Sequence, residues 1–128
     1  MNTPGLNHIL LTISDTARSR AFYGDLLGFD ITVMAEDPDG SFFFSVGDVM
    51  FFLFPSRHPV PGDRFSEFRI GLDHLSFTAP SKEALHELAD KLIAAGVDTK
   101  GVEQFEHTGN WYIAFRDPDN IQLEYWLP

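Results

Sequence analysis

The 128-residue chain contains no cysteine, which excludes a disulfide framework and any thiolate metal site. It is also short of positive charge: nine Lys and Arg stand against 19 Asp and Glu, for a formal net charge of −10. Nucleic acid and anionic membrane surfaces are recognised by basic faces, so neither is expected as a partner. Long apolar runs are missing, and no stretch reaches the roughly 20 residues that a spanning helix needs. The opening Met1-Asn2-Thr3-Pro4-Gly5 lacks the basic n-region of a signal peptide. Together these absences lead to the expectation of a soluble, cytoplasmic protein. What is abundant is phenylalanine, with 13 residues. The length is most simply one domain.

The chain reads as an alternation of strands and helices. Leu6 to Ile13 alternates faces, with His8, Leu10 and Thr12 on one side and Ile9, Leu11 and Ile13 on the other. Ser14 or Asp15 is placed to cap a helix whose apolar stripe is Ala17, Ala21, Phe22 and Leu26, with Gly28 at C′. Phe29 to Met34 follows as a strand. Ser41 to Val46 and Val49 to Phe54 then form a hairpin around Gly47-Asp48. Residues 55–71, with Pro55, Pro59, Pro61 and Gly62, keep no period and read as a connector that carries Arg57, Arg64 and Arg69. Leu72 to Ala79 is the next strand. Ser81 then caps a helix with Leu85, Leu88, Ala89 and Leu92 at i, i+3, i+4 and i+7, closed by Gly96. Val97 opens a short strand, and Trp111 to Phe115 with Ile121 to Leu127 form a closing hairpin around the turn at Pro118.

The order strand–helix–strand–strand–strand therefore occurs twice. Asn7-His8-Ile9 matches Asp73-His74-Leu75, and Gly28-Phe29-Asp30 matches Gly96-Val97-Asp98. Met50 to Phe54 matches Gln122 to Trp126. This predicts an α+β domain of two repeated modules, about 6–54 and 72–127, joined by the 55–71 connector. His8 and His74 hold equivalent places early in each module. Glu124 sits on the last strand, on the face opposite Leu123 and Tyr125. A strand histidine is ordinarily a buried, hydrogen-bonded side chain, and a strand glutamate a solvated one. Two matched imidazoles and one carboxylate, all on the more polar register of a repeat, instead point to a divalent metal with coordination positions left open.

The repeat, the early histidine in each module, the Asp117-Pro118-Asp119-x-x-x-Leu123-Glu124 ending and Ala21-Phe22-Tyr23-x-x-Leu26-Leu27-Gly28-Phe29 resemble the vicinal-oxygen-chelate superfamily. That group contains glyoxalase I, bleomycin-resistance proteins, fosfomycin-resistance thiol transferases and extradiol dioxygenases. The resemblance implies two βαβββ modules whose curved mixed sheets surround a cup. It also implies a divalent metal (Fe, Mn, Ni, Co or Zn) held by His8, His74 and Glu124, chelating two adjacent oxygens of a small substrate. Pairing of such chains as homodimers would bring His8 from one subunit to His74 and Glu124 of its mate. Departures from the pattern are visible. Phe52 stands where glyoxalase I carries a fourth, glutamate ligand. In the extradiol signature, to which His107, Ile113, Pro118 and Glu124 conform, Ala114 stands at the tyrosine position, and Tyr112 would take its place only with a different strand register.

The implied activity is dioxygenase-like or glyoxalase/lyase-like; the alternative is a bleomycin-resistance-type protein that binds a small ligand without catalysis. His107 is the acid–base candidate, against the plain reading of a solvated loop histidine. Phe52, Trp111 and Trp126 would form an aromatic substrate pocket. Arg116 would orient an anionic substrate or pair with an acidic neighbour, the commoner case. Phe42, Phe43, Phe44, Phe51, Phe52 and Phe54 make the first hairpin apolar on both faces, so one face covers the helix and the other lines a cavity or meets a partner.

Overall fold

A computed structural model describes all residues, Met1–Pro128. The chain divides into two compact units, Met1–Asp63 and Arg64–Pro128, so the proline-containing connector is split between them. The class is α+β, with one four-stranded mixed sheet and one helical segment in each unit.

In the first unit the strands are β1 (His8–Ile13), β2 (Thr32–Val33), β3 (Phe42–Val46) and β4 (Val49–Pro55), ordered β1-β4-β3-β2. β1 runs parallel to β4, while β3 is antiparallel to both β4 and β2. Between β1 and β2 lies α1 (Thr16–Arg20), which continues as a π-helical stretch, Ala21–Leu26. Asp15 is the cap: its side chain accepts from the Arg18 amide at 2.9 Å. The anticipated stripe is corrected. Phe22 is buried as expected, but Ala17 and Ala21 are exposed, and Ser19 and Tyr23 are buried in their place. Two aromatic rings have far more area to remove from water than two alanines, and they set the helix phase. The wide turn, with Leu27 N–H donating to the Phe22 carbonyl at 3.0 Å, accompanies that choice. The core is an aromatic stack in which Phe44 lies 4.3 Å from Phe29 and 5.3 Å from Phe51, ring centre to ring centre. Leu11, Ile13, Phe42 and Leu53 complete it.

The expected strand Phe29–Met34 shrinks to Thr32–Val33. Gly28 takes φ +82°, and Phe29 is drawn back so that its N–H donates to the Tyr23 carbonyl at 3.0 Å; the chain reaches the sheet only later.

In the second unit the strands are β5 (Leu75–Thr78), β6 (Thr99–Gln104), β7 (Trp111–Arg116) and β8 (Gln122–Leu127), ordered β5-β8-β7-β6. The pattern of the first sheet is repeated: β5 is parallel to β8, and β7 is antiparallel to β8 and β6. α2 (Lys82–Ala94) starts at Ser81, whose hydroxyl accepts from the Ala84 amide at 3.1 Å. It buries Leu85, Ala89 and Leu92 as its period predicts. Phe77, Ile113, Phe115 and Leu123 supply the sheet side of that core. β5 begins three residues later than Leu72, leaving His74 immediately before the strand.

Candidate functional site

Residues paired across a ladder share a face, so register assigns each candidate side chain. On the first sheet His8 is opposite Met50, Leu10 opposite Phe52 and Thr12 opposite Phe54, while Phe43 is opposite Phe52. That face is the one turned away from the buried Leu11, Ile13, Phe51 and Leu53. The His8 ring is exposed and meets Phe52 edge-on, 5.8 Å between centres. Its Nδ1 lies 2.7 Å from Asn7 Oδ1. A cavity of about 690 Å³ opens at the β2 end of the same face, with Phe43, Phe54, Met34 and Val33 beside Asp37 and Arg57. Asp37 is held below its ordinary carboxyl range, first by the Ser41 hydroxyl and then by the Asp39 amide. None of the candidate metal ligands lines this cavity.

On the second sheet Glu124 is opposite Ser76 on one side and Ala114 on the other. Trp126 is opposite Thr78 and Tyr112, and Gln122 is opposite Arg116. His74, two residues before Ser76, turns to this face: its Nε2 lies 3.4 Å from Glu124 Oε2. Its Nδ1 lies 2.6 Å from Asp73 Oδ1. Gln122 Nε2 donates to the other Glu124 oxygen at 3.4 Å. Two of the three expected ligands are thus brought together, while His8 stands on the other unit. Within the chain no group of three or more His, Cys, Asp or Glu side chains is gathered as a ligand set. By their chemistry His74 and Glu124 fit a divalent ion, one offering a ring nitrogen and the other a carboxylate with 13% of its side chain exposed.

The aromatic residues need a correction. Trp111 is opposite Leu127, on the helix side of β7, where Lys82 Nζ sits 3.5 Å over its ring. It does not share a face with Glu124. Tyr112 does, stacked on Trp126 with 5.5 Å between ring centres. Burial, and then Glu103 and Glu124 nearby, push its phenol above the ordinary range. Tyr112 faces Trp126 and not Glu124, so it does not occupy the place of Ala114. The signal for this parity was the hairpin turn. Asp117 and Ile121 bond across it, the Asn120 amide donates to the Asp117 carbonyl at 3.0 Å, and Asn120 takes φ +69°. Such a three-residue loop fixes which residues of β7 and β8 oppose each other.

Arg116 is engaged by an acidic neighbour. Its two terminal nitrogens donate to the Glu67 oxygens at 2.6 and 3.1 Å, which holds the Glu67 carboxyl down at about 2. The connector is fastened further, as Asn120 Nδ2 donates to the Phe65 carbonyl at 2.9 Å. His107 is exposed in the loop between β6 and β7. Its ring is 5.2 Å from Phe105, whose ring is in turn 5.5 Å from Trp126. Asn7, Asp73 and Gln122 are the residues that sequence reasoning missed. The first two were signalled by their matching places before the two histidines.

Comparison with known proteins agrees with this layout. Residues 5–125 match the model of the Glyoxalase/Bleomycin resistance protein/Dioxygenase superfamily. The chain is 32% identical over 124 residues to the protein YwkD of Bacillus subtilis (strain 168), covering 93% of each. It is 35% identical over 74 residues to the metallothiol transferase FosB of Staphylococcus haemolyticus, covering 58% of this chain and 48% of that protein. The crystal structure of a glyoxylase/bleomycin resistance protein/dioxygenase domain from Frankia sp. EAN1pec superposes with a TM-score of 0.82 at 32% identity, covering 98% of this chain and 93% of that one. The two repeated sheets, the face shared by His74 and Glu124, and these likenesses converge: the chain belongs to the Glyoxalase/Bleomycin resistance protein/Dioxygenase superfamily.

Proposed function

We propose that this protein is a metal-dependent enzyme of the vicinal-oxygen-chelate type, acting on a small substrate through two adjacent oxygens. The observation that carries the reading is the pair His74 Nε2 and Glu124 Oε2, 3.4 Å apart on a sheet face that also bears Ser76, Thr78, Tyr112 and Trp126. His8 is the proposed third ligand, supplied by the second chain of a homodimer. A metal held there would supply Lewis-acid chemistry, stabilising negative charge on the two oxygens. The chain's own residues do the rest. Ser76 and Thr78 offer hydroxyls on the Glu124 face, and Tyr112 with Trp126 forms a flat wall for an apolar or planar substrate. His107, carried against Phe105, is the proposed acid–base group. Arg116 is committed to Glu67 and is assigned to holding the connector instead of binding an anion. Between dioxygenase-like and lyase-like chemistry, the similarity to a metallothiol transferase and to a glyoxalase-type domain favours no single reaction.

A second reading is supported by the cavity at Phe43, Phe54 and Arg57, which none of the candidate ligands lines. It is of a size to hold a small molecule, as a ligand-binding relative without catalysis would require. Elemental analysis of protein purified without an affinity tag separates the two. Near-stoichiometric transition metal, lost in His74→Ala, is the expected result. Metal-free protein that remains metal-free after dialysis against zinc or manganese would overturn the enzyme in favour of the binder.

A further inference from the structure

The two candidate histidines share a device that the internal repeat has copied. His8 Nδ1 lies 2.7 Å from Asn7 Oδ1, and His74 Nδ1 lies 2.6 Å from Asp73 Oδ1. In each case the partner is the residue immediately before the histidine, on an exposed stretch leading into the first strand of its module. A carboxylate can only accept, so the proton in the His74–Asp73 contact belongs to Nδ1. Glu124 is also an acceptor, but it faces Nε2 at the longer 3.4 Å, so the single proton of the neutral ring goes to Nδ1 and Nε2 is the nitrogen left for a cation between it and Glu124. Asn7 offers its amide oxygen in the corresponding position. The same geometry makes Nε2 the free nitrogen of His8. The two partners differ in charge, one being a neutral amide and the other an anion.

We propose that Asn7 and Asp73 are positioning residues that fix both imidazoles in the Nδ1–H tautomer, and that they make the two rings unequal ligands. This rests on the metal-site reading above. An anionic acceptor at 2.6 Å holds its imidazole in place for a cation more firmly than a neutral amide oxygen at 2.7 Å does. The His74–Glu124 side is therefore the stronger half of the site, and His8 completes it. Asp73 and Glu124 together also bring two negative charges to the second unit's share of a divalent site.

The test has one readout that needs no metal. In metal-free protein labelled with ¹⁵N-histidine, long-range ¹H–¹⁵N spectra at about pH 8, where an ordinary histidine is neutral, report the tautomer of each ring. Both His8 and His74 should show Nδ1 protonated. Asn7→Ala should release only His8 to the mixture an unconstrained ring adopts, and Asp73→Ala only His74. Asp73→Asn should keep the His74 tautomer. Cobalt(II) affinity, measured by competition with a chelator, should fall roughly 100-fold in Asp73→Ala and roughly 10-fold in Asn7→Ala, the two ends of the usual range for such partners. Asp73→Asn should fall between wild type and Asp73→Ala. Protonated Nε2 on either ring in the wild type, or tautomers unmoved by the alanine variants, would overturn the positioning role. Equal affinity losses in the two alanine variants would overturn the inequality. Fixed Nδ1–H tautomers in a protein that binds no cobalt would refute the metal site while leaving the ring positioning established.

Discussion

At the scale of the residue, Asp117 shows how much one buried side chain can organise. It is 5% exposed, and one carboxylate oxygen accepts from the Asp119 and Ile121 amides, both at 2.8 Å. Asp117→Ala leaves the Ile121 donor buried without that partner. The expected loss is about 2–3 kcal/mol, since hydrogen bonds to charged groups are worth more than neutral ones; urea denaturation checks it. Ser19 is the opposite case. Its hydroxyl is buried and has no hydrogen-bond partner. Ser19→Ala should therefore stabilise the protein by about 1 kcal/mol, read as a higher urea midpoint with an unchanged slope. Glu67 gives a pH signature. Its hydrogen bonds from Arg116 lower its carboxyl from an ordinary 4.5 to about 2. The fold favours the ionised form, so this contribution is complete above about pH 4.5 and fades as pH drops toward about 2. Across that window wild type should lose Tm more steeply than Glu67→Gln. Parallel curves would show that the pair contributes nothing to stability.

At the scale of the element, the helix of the first unit is tuned by its neighbours. A Cβ on Gly24 would lie 2.9 Å from Ile31 Cγ1, an atom that moves only through the stiff χ1 of a β-branched side chain. Gly24→Ala should cost about 1–3 kcal/mol by overpacking. Gly24→Ala in an Ile31→Ala background should cost clearly less, a coupling that a double-mutant cycle measures. The elements also differ in how readable they were. The period of Leu85, Leu88, Ala89 and Leu92 announced α2 and its inward face, because one long helix carries several turns of signal. The alternation from Ile121 to Leu127 placed Glu124 opposite the core. The first helix was misphased because its apolar positions were ambiguous between alanines and aromatics. β2 was overdrawn because Phe29, a good strand former, is taken up by the stack on Phe44. The error at Trp111 came from treating two tryptophans as partners when the turn at Asp117–Ile121 puts Tyr112, not Trp111, across from Trp126.

At the scale of the whole molecule, each unit covers one face of its sheet with its own helical segment. The other face bears His8 in the first unit and Glu124, with His74, in the second. Because the chain by itself gathers no three-ligand cluster, assembly of two chains is the proposed source of the complete site. Subunit mixing tests it. His8→Ala and His74→Ala should each abolish tight metal binding alone. A mixture, unfolded and refolded together, should regain one site per heterodimer, because one of its two shared sites keeps His8 from one chain and His74 with Glu124 from the other. No recovery despite heterodimer formation would place all three ligands in the same chain. No helix is long and apolar enough to cross a membrane.

By itself the order of residues determined the repeat, the order of helices and strands, and the face on which Glu124 lies. Each of these is written in local period, capping chemistry or matched position, which act over a few residues. The pairing of Tyr112 with Trp126, the engagement of Arg116 by Glu67, and the approach of His74 to Glu124 were decided only in three dimensions. Those depend on strand register and on contacts such as Glu67 with Arg116, 49 residues apart. Long-range contacts of that kind are fixed by which faces can be buried together, and no local pattern encodes them.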